Sequence, residues 1–580
     1  MSLTKREQRA PRFRGRPRRS YKSFSLALLV VAPAIVALWT YQDNLDCYFT
    51  GTDSFSLIET SRIESLQDIK RIFTRQLMDG TDFVAVAKFY RPLASLSYGL
   101  DYLIWDLDPF GFHLTNLIFH ILNTILVALL MRSLAGGDLT IGLLAAIIFT
   151  THPILVESVP SIDRRHDLIA SLFLTLSLTL FVEATRARRR RRALSLLSGL
   201  SYLAALGGKE IAVILPGIVF VYSMIFGREP GIAQRCSLSF KATAPYAAVT
   251  AAYVAWRWHV LGGLGGYVEN GGDQALGDYL LQIISSYGND LLYPIDFFKL
   301  SESFSAVSFL LAQALIFAAY SLLYFHCSRG ASRNATRLPY ARLYLFLSLW
   351  IFLPLALFCA THTFAHRSMY MVVVPFAGLP AVSMVHCFRL LRSGSRDPSQ
   401  SMAFADAPRR PLKWGQTVIV AASLVAWGSL ALNSPVFRTY AGWNESARVS
   451  RYLLEELGQV VQHLPARCTL HLYNLPEGIS SLQSNILRAR EVTYMRDYSV
   501  KSWMNLVFPH NTMRVVVHSR SWLAMVESPL AITSYRASAN NLVIKVVTDT
   551  AFTNHSPTQL IASPIRSPLF GQAPTARKPR

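Results

Sequence analysis

Long apolar runs alternate with shorter polar segments through most of this chain. Eleven of these runs can be placed as membrane-spanning helices, because about 20 apolar residues in a helix cross a bilayer. They are Phe24–Tyr41, Leu114–Leu134, Ile141–Thr151, Leu168–Val182, Leu194–Leu206, Ile211–Phe226, Ala242–Leu261, Ser303–Phe325, Leu343–Cys359, Met369–Phe388 and Gln416–Leu432. The pattern predicts an all-α polytopic membrane protein with a transmembrane domain over residues 24–433.

One connection, residues 42–113, is too long to be a simple turn and is called here the first long connection. It contains the stretch Ser65–Leu77, whose apolar residues recur at helical spacing, which predicts an amphipathic helix along the membrane surface. After Leu432 the hydropathy falls. A helical apolar stripe in Ser446–Leu464 and strand-like segments at Thr469–Tyr473, Met513–Val517 and Leu542–Val547 then predict a small α/β domain over residues 434–554. Residues 1–23 form a basic arm, and residues 555–580 have a disordered composition.

The charge is strongly positive, with 57 Lys and Arg against 35 Asp and Glu, a net charge of +22. Such an excess can indicate nucleic-acid binding, but here the dense basic clusters fall on alternate connections. They lie in Met1–Lys22, Arg186–Arg192, Arg329–Arg342 and Arg389–Lys413. Positive residues are retained in cytoplasmic loops, so we expect a cytoplasmic N-terminus, an extracytoplasmic C-terminus and no nucleic-acid partner. No retention signal is obvious, which favours a prokaryotic inner membrane.

Ionisable residues are concentrated at the predicted outer ends of the spans. They are costly near a membrane unless paired or hydrated, so as a group they indicate a functional site. The set is Asp53, Arg91, His113, His152, Glu157, Arg165, Asp167, Lys209, Glu210, His362, His366 and Arg367. Cations beside carboxylates would suit a lipid phosphate ligand, and a carboxylate that takes a proton from an acceptor hydroxyl would allow group transfer from it. No CxxC pair or His/Cys cluster indicates zinc.

Four blocks, in order along the chain, resemble the transmembrane O-mannosyltransferase-like proteins of the GT-C glycosyltransferase superfamily. They are Phe89–Asn123, His152–Val159 followed by Arg165-His-Asp167, Gly208-Lys-Glu210, and His366–Tyr370. The family pattern Trp-Ile-Ala-Glu-Arg reads Ser161-Ile-Asp-Arg-Arg165 here. The tetratricopeptide array of many relatives is replaced by the region after Leu432, so a protein acceptor is not carried over.

The resemblance implies an inverting transfer of a monosaccharide, mannose by analogy, from a polyprenyl-phosphate donor to an acceptor hydroxyl on the outer face. Whether that acceptor is a glycan or a protein stays open. The family's catalytic base is an Asp in the first outer loop, which matches Asp53, although Ser54 replaces the usual second acid. The resemblance leaves a divalent metal undetermined. The remaining matched residues would bind the donor phosphate or orient the site: Arg91, His152, Glu157, Arg165, Lys209 and Arg367.

Two other functions stay open. A transporter or flippase of an amphipathic anion would also need basic residues near the membrane, although the sequence shows no inverted repeat. A non-catalytic membrane scaffold would explain the missing second acid at Ser54.

Overall fold

The structure is a computed structural model and is mostly helical. It describes residues 18–49, 52–85, 87–227, 229, 231–267, 276–292, 338–361, 364–392, 435–462, 469–473, 475–476, 478–479, 492–493, 497–510, 513–517, 520–521, 530–538 and 541–548. The helices are α1 Arg18–Tyr41, α2 Ser54–Ser61, α3 Leu66–Thr74, α4 Pro92–Trp105, α5 Pro109–Leu134, α6 Leu139–Thr150, α7 Arg165–Arg186, α8 Arg191–Gly208, α9 Leu215–Phe226, α10 Ile232–Leu261, α11 Leu276–Leu292, α12 Leu338–Thr361, α13 Met369–Arg392, α14 Pro435–Val461 and α15 Asp497–Val507.

The strands are short, and most of them follow α14. They are β1 Ala87–Lys88, β2 Gly266–Tyr267, β3 Thr469–Tyr473, β4 Leu475–Pro476, β5 Gly478–Ile479, β6 Val492–Thr493, β7 Arg514–Val517, β8 Arg520–Ser521, β9 Leu530–Ser538 and β10 Asn541–Thr548. A four-stranded sheet has the order β7-β3-β10-β9, in which β9 is the antiparallel edge strand. Three of its strands, β3, β7 and β10, overlap the segments that the sequence predicts as strands. The buried stripe of α14 includes Leu453, Leu454 and Leu457.

Among the residues that the structure describes, five helical segments are long and apolar enough to cross a membrane, which supports a multi-pass membrane protein. They are Ala27–Asp46, Pro109–Leu134, Ile162–Arg186, Tyr340–Thr361 and Met369–His386. Two further apolar helical segments, Leu139–Thr150 and Glu210–Phe226, are shorter. The predicted spans Ser303–Phe325 and Gln416–Leu432 lie outside the described residues, so the count of eleven stays a prediction.

The helix boundaries follow from capping residues in the sequence. Asp108 accepts a hydrogen bond from the Phe110 amide at 3.0 Å and is followed by Pro109, which needs no amide partner, so α5 begins there. Asp138 caps α6 in the same way. Ser65 begins α3 with a capping box, so the amphipathic helix predicted in the first long connection is present.

Two large apolar cores and one small one lie within the part of the chain that the structure describes. The larger one joins the long helices, including α5, α6, α7, α12 and α13. The second joins the first long connection to the C-terminal region, because Phe55 and Leu57 of α2 belong to the same buried cluster as Trp503 of α15. This second core lies directly behind the candidate site.

Candidate functional site

An open pocket, whose empty space of about 340 Å³ includes part of the open solvent, lies where several apolar helices begin or end. Its walls come from segments far apart in the sequence: the first long connection, the turn and first residues of α7, strand β2 and the turn before α13. The lining combines two carboxylates, three arginines, one histidine and an apolar wall. In chain order these residues are Asp53, Leu57, Leu77, Phe83, Phe89, Arg91, Asp163, Arg164, His166, Tyr267 and Arg367.

Asp53 stands immediately before α2. Its backbone carbonyl accepts the Leu57 amide at 2.9 Å, but its carboxylate does not cap the helix. Instead, the carboxylate Oδ1 accepts a hydrogen bond from the Tyr498 hydroxyl at 2.6 Å.

The surroundings of Asp53 make it a stronger base than an ordinary carboxylate. Burial, and to a lesser extent the negative charge of Asp163, raise the pKa of Asp53. The hydrogen bond from Tyr498 and the positive charge of Arg164 lower it by less. A carboxylate with a raised pKa accepts a proton from a hydroxyl more readily, which suits a general base.

Asp163 lines the pocket although it is not in the set of ionisable residues that the sequence predicts for the site. It lies in the 3₁₀ turn Ile162–Arg164, and only 2% of it is exposed. The Ser161 hydroxyl donates to its Oδ1, and Arg164 Nε donates to the same oxygen at 3.2 Å. The family pattern held a signal for it, since the acid of Trp-Ile-Ala-Glu-Arg is found one position earlier here. The pocket therefore holds two carboxylates, and the second comes from a different segment of the chain than Asp53.

Arg91 lines the pocket and is held rigidly. Its Nη2 and Nε donate to the two Glu210 carboxylate oxygens at 2.6 and 3.1 Å, and its guanidinium lies 4.3 Å from the Phe89 ring centroid. Arg257 Nη1 approaches the same carboxylate at 3.6 Å. Two arginines share one acid, so this group retains one positive charge beside the pocket.

Arg367 also lines the pocket. Its Nη2 donates to the Tyr267 hydroxyl at 2.8 Å, a neutral partner that leaves the guanidinium charge in place. Tyr267 belongs to β2, which pairs with β1 through Ala87 and Lys88. Gly266 and Tyr267, in the glycine-rich stretch that follows α10, therefore form an ordered strand beside the site.

Lys209 does not line the pocket and is already paired. Its Nζ lies 2.5 Å from Asp167 Oδ1 and 3.1 Å from Ser368 Oγ, and the side chain is buried. Because Ser368 follows Arg367, this pair ties the pocket arginine to α7. Glu157 belongs to the 3₁₀ turn Pro153–Glu157, and its side chain lies outside the described part of the structure.

Arg165 and His152 are buried and do not line the pocket. The guanidinium of Arg165 bonds to Asp101 at 2.6 Å, Asn116 at 2.7 Å and the Phe112 carbonyl at 2.8 Å. His152 contacts the Leu291 carbonyl through Nε2 at 3.1 Å and accepts the Ile154 amide at Nδ1. Both residues join helices to one another, and their polar atoms face protein groups rather than the pocket.

The structure thus brings Asp53, Arg91 and Arg367 together, with Asp163, Arg164 and His166 as additional members. Within the described ranges, no group of three or more His, Cys, Asp or Glu side chains is arranged to hold a metal ion.

Comparison with known proteins supports the resemblance seen in the sequence blocks. The chain is 25% identical over 226 residues to protein O-mannosyl-transferase TMTC3 of Mus musculus, and 39% identical over 101 residues to tmtc2 of Xenopus laevis. These matches cover 38% and 17% of this chain but only 23% and 12% of the relatives. The chain therefore has homologues among the protein O-mannosyl-transferases and matches a minor part of each. No protein-family model matches it.

Two solved structures are similar to this chain at low sequence identity. ArnT from Cupriavidus metallidurans, bound to undecaprenyl phosphate, has a TM-score of 0.40 at 14% identity, over 85% of this chain and 90% of that one. The oligosaccharyltransferase AglB from Archaeoglobus fulgidus, in complex with an inhibitory peptide and a dolichol-phosphate, has a TM-score of 0.45 at 13% identity, over 85% and 64%.

Proposed function

We propose that this chain, a homologue of the protein O-mannosyl-transferases, is an integral-membrane inverting glycosyltransferase. It would transfer a monosaccharide, mannose by analogy with its relatives, from a polyprenyl-phosphate donor to an acceptor hydroxyl. The observation that carries the proposal is the pocket itself: a partly buried carboxylate with a raised pKa, Asp53, faces arginines at the ends of apolar helices.

The reaction needs a base on one side of the anomeric carbon and cations on the other. Asp53 would take the proton of the acceptor hydroxyl while that oxygen attacks the anomeric carbon. The bond from this carbon to the phosphate oxygen breaks, and the electron pair leaves with the lipid phosphate. Attack opposite the leaving group inverts the anomeric configuration.

The pocket cations would stabilise the departing phosphate. Arg367 supplies a guanidinium with a neutral partner, and Arg91 supplies the net positive charge of its group with Glu210 and Arg257. Fixed donors aimed at developing negative charge contribute more than mobile ones, because they need no reorganisation in the transition state. Lys209 would act by holding the segment that carries Arg367.

The topology is part of the same proposal. The alternation of basic clusters favours a cytoplasmic N-terminus and a pocket on the opposite face, with eleven spans in all. A lipid phosphate could then reach the arginines from the membrane surface, while a glycan or protein acceptor approaches from outside.

The test uses purified full-length protein in lipid nanodiscs with polyprenyl-phosphate mannose and a panel of glycan and peptide acceptors. Asp53→Asn should lower transfer by about 10²–10⁴-fold, the usual effect of losing a positioned base, without loss of folded protein. Asp79→Asn is the matched control, because Asp79 lies in the same connection and pairs with Arg75 away from the pocket. Transfer by Asp53→Asn at the wild-type rate would exclude Asp53 as the base. Movement of labelled lipid across liposomes without acceptor would instead favour a flippase.

A further inference from the structure

The C-terminal region reaches the candidate base directly. Helix α15 packs along α2, the helix that begins just after Asp53. The Ser56 and Ser502 hydroxyls are 2.8 Å apart, and Asn505 Nδ2 donates to Glu59 Oε1 at 2.7 Å. These contacts join segments more than 440 residues apart in the chain.

Tyr498 lies at the pocket end of this helix pair. Its side chain is 8% exposed, and its ring packs edge-on against Phe83, a pocket residue, with 5.7 Å between the ring centroids. Its carbonyl accepts the Ser56 hydroxyl at 3.3 Å, which fixes the first turn of α15 against α2. The phenol oxygen then lies 2.6 Å from Asp53 Oδ1.

We infer that Tyr498 is a positioning residue for the proposed glycosyl transfer, holding the Asp53 carboxylate ionised and in one orientation. The inference rests on the proposed function, in which Asp53 is the base. A packing role alone would need only the aromatic ring, whereas the phenol hydroxyl places a donor against one carboxylate oxygen.

The physical reason lies in two opposing influences on Asp53. Burial and the neighbouring Asp163 charge favour the protonated carboxyl, which cannot act as a base. A hydrogen bond donated to the carboxylate favours the ionised form. The Thr52 side chain also hydrogen-bonds to Asp53. The other groups that face Asp53 are Asp163 and Arg164 from the 3₁₀ turn, Tyr98 from α4, Tyr498 from α15 and, around the pocket, Arg91, His166, Tyr267 and Arg367. Among these, Tyr498 is the contribution of the C-terminal region to the ionisation of the base.

The experiment is a pH profile of kcat/KM for mannose transfer by full-length protein in nanodiscs. Tyr498→Phe keeps the ring and removes the donor. Because the Asp53 carboxylate loses a stabilising hydrogen bond, the acid limb should move to higher pH. Transfer at a fixed pH on that limb should fall about tenfold or more, because hydrogen bonds to charged groups are stronger than those between neutral groups. Transfer should recover as the pH rises.

Asn505→Ala is the matched control, because it breaks a contact between the same two helices without touching Asp53. It should leave the shape of the profile unchanged. Tyrosine fluorinated ortho to its hydroxyl, incorporated at position 498, is a stronger donor of nearly the same size. It should move the acid limb to lower pH. This measurement tests the role of the Tyr498 hydroxyl even if Tyr498→Phe fails to fold.

An unshifted acid limb in both the Phe and the fluorinated variants would overturn the inference, as would an equal loss at every pH. The Asp53→Asn variant separates the two proposals. If it is inactive while position 498 leaves the profile unmoved, only the role of Tyr498 fails. If Asp53→Asn is active, the proposed base fails and the inference fails with it.

Discussion

Arg165 offers the clearest distinction between a binding residue and a structural one. Its side chain is fully buried, and its guanidinium forms an ion pair with Asp101 at 2.6 Å and donates to Asn116 and the Phe112 carbonyl. Asp101 is itself only 4% exposed. These bonds join α4 and α5 to the first turn of α7. Replacing Arg165 by Met keeps most of the volume but leaves a buried carboxylate without its cation.

The expected loss of stability is large. Breaking a buried ion pair by removing one partner costs about 3–5 kcal/mol, which is a considerable part of a typical folding free energy of about 5–15 kcal/mol. The Asn116 and Phe112 oxygens also lose a donor. We therefore expect Arg165→Met to lower the free energy of unfolding by at least about 3 kcal/mol, and to reduce activity in proportion to the folded fraction.

The assay is denaturant titration of purified protein in mixed micelles, with donor KM measured on the folded fraction. Adding Asp101→Asn to Arg165→Met should recover part of the loss, because the amide removes the buried charge and can still accept from Thr115. Arg75→Ala, at an arginine whose side chain is 63% exposed, is the control and should change stability by less than about 0.5 kcal/mol. Wild-type stability of Arg165→Met together with a raised donor KM would refute this reasoning and make Arg165 a phosphate ligand.

Three further predictions concern the pocket. Asp163→Asn removes a negative charge that raises the pKa of Asp53, so the acid limb of the activity profile should move to lower pH, opposite to the Tyr498→Phe shift. A shift to higher pH would contradict the effect of the Asp163 charge on Asp53. Arg367→Ala should raise donor KM about tenfold or more, as expected for a lost charge-assisted bond, and an unchanged KM would remove it from the phosphate site. Gly265→Ala should lower both stability and transfer, because Gly265 has a φ of +72° and an added Cβ would lie 2.6 Å from the Lys88 carbonyl oxygen. Gly263→Ala is the control: an added Cβ there meets open space, so this variant should unfold thermally like the wild type.

The membrane-protein class, the amphipathic helix after Ser65 and three strands of the C-terminal sheet were predictable from the sequence. Each depends on local periodicity and capping, which neighbouring residues determine. Asp53 was selected from its place in a motif, and the structure lines the same pocket with Arg91 and Arg367.

Which ionisable side chains face the pocket was decided only by the tertiary structure. Arg164 and Arg165 are adjacent, yet the first lines the pocket while the second turns inward to Asp101, because α7 begins between them. Tyr498 reaches Asp53 from the far end of the chain, since the apolar core shared by α2 and α15 brings the two helices together. Sequence patterns report the direction of a side chain relative to its own helix, whereas contacts between distant segments depend on how whole apolar surfaces pack.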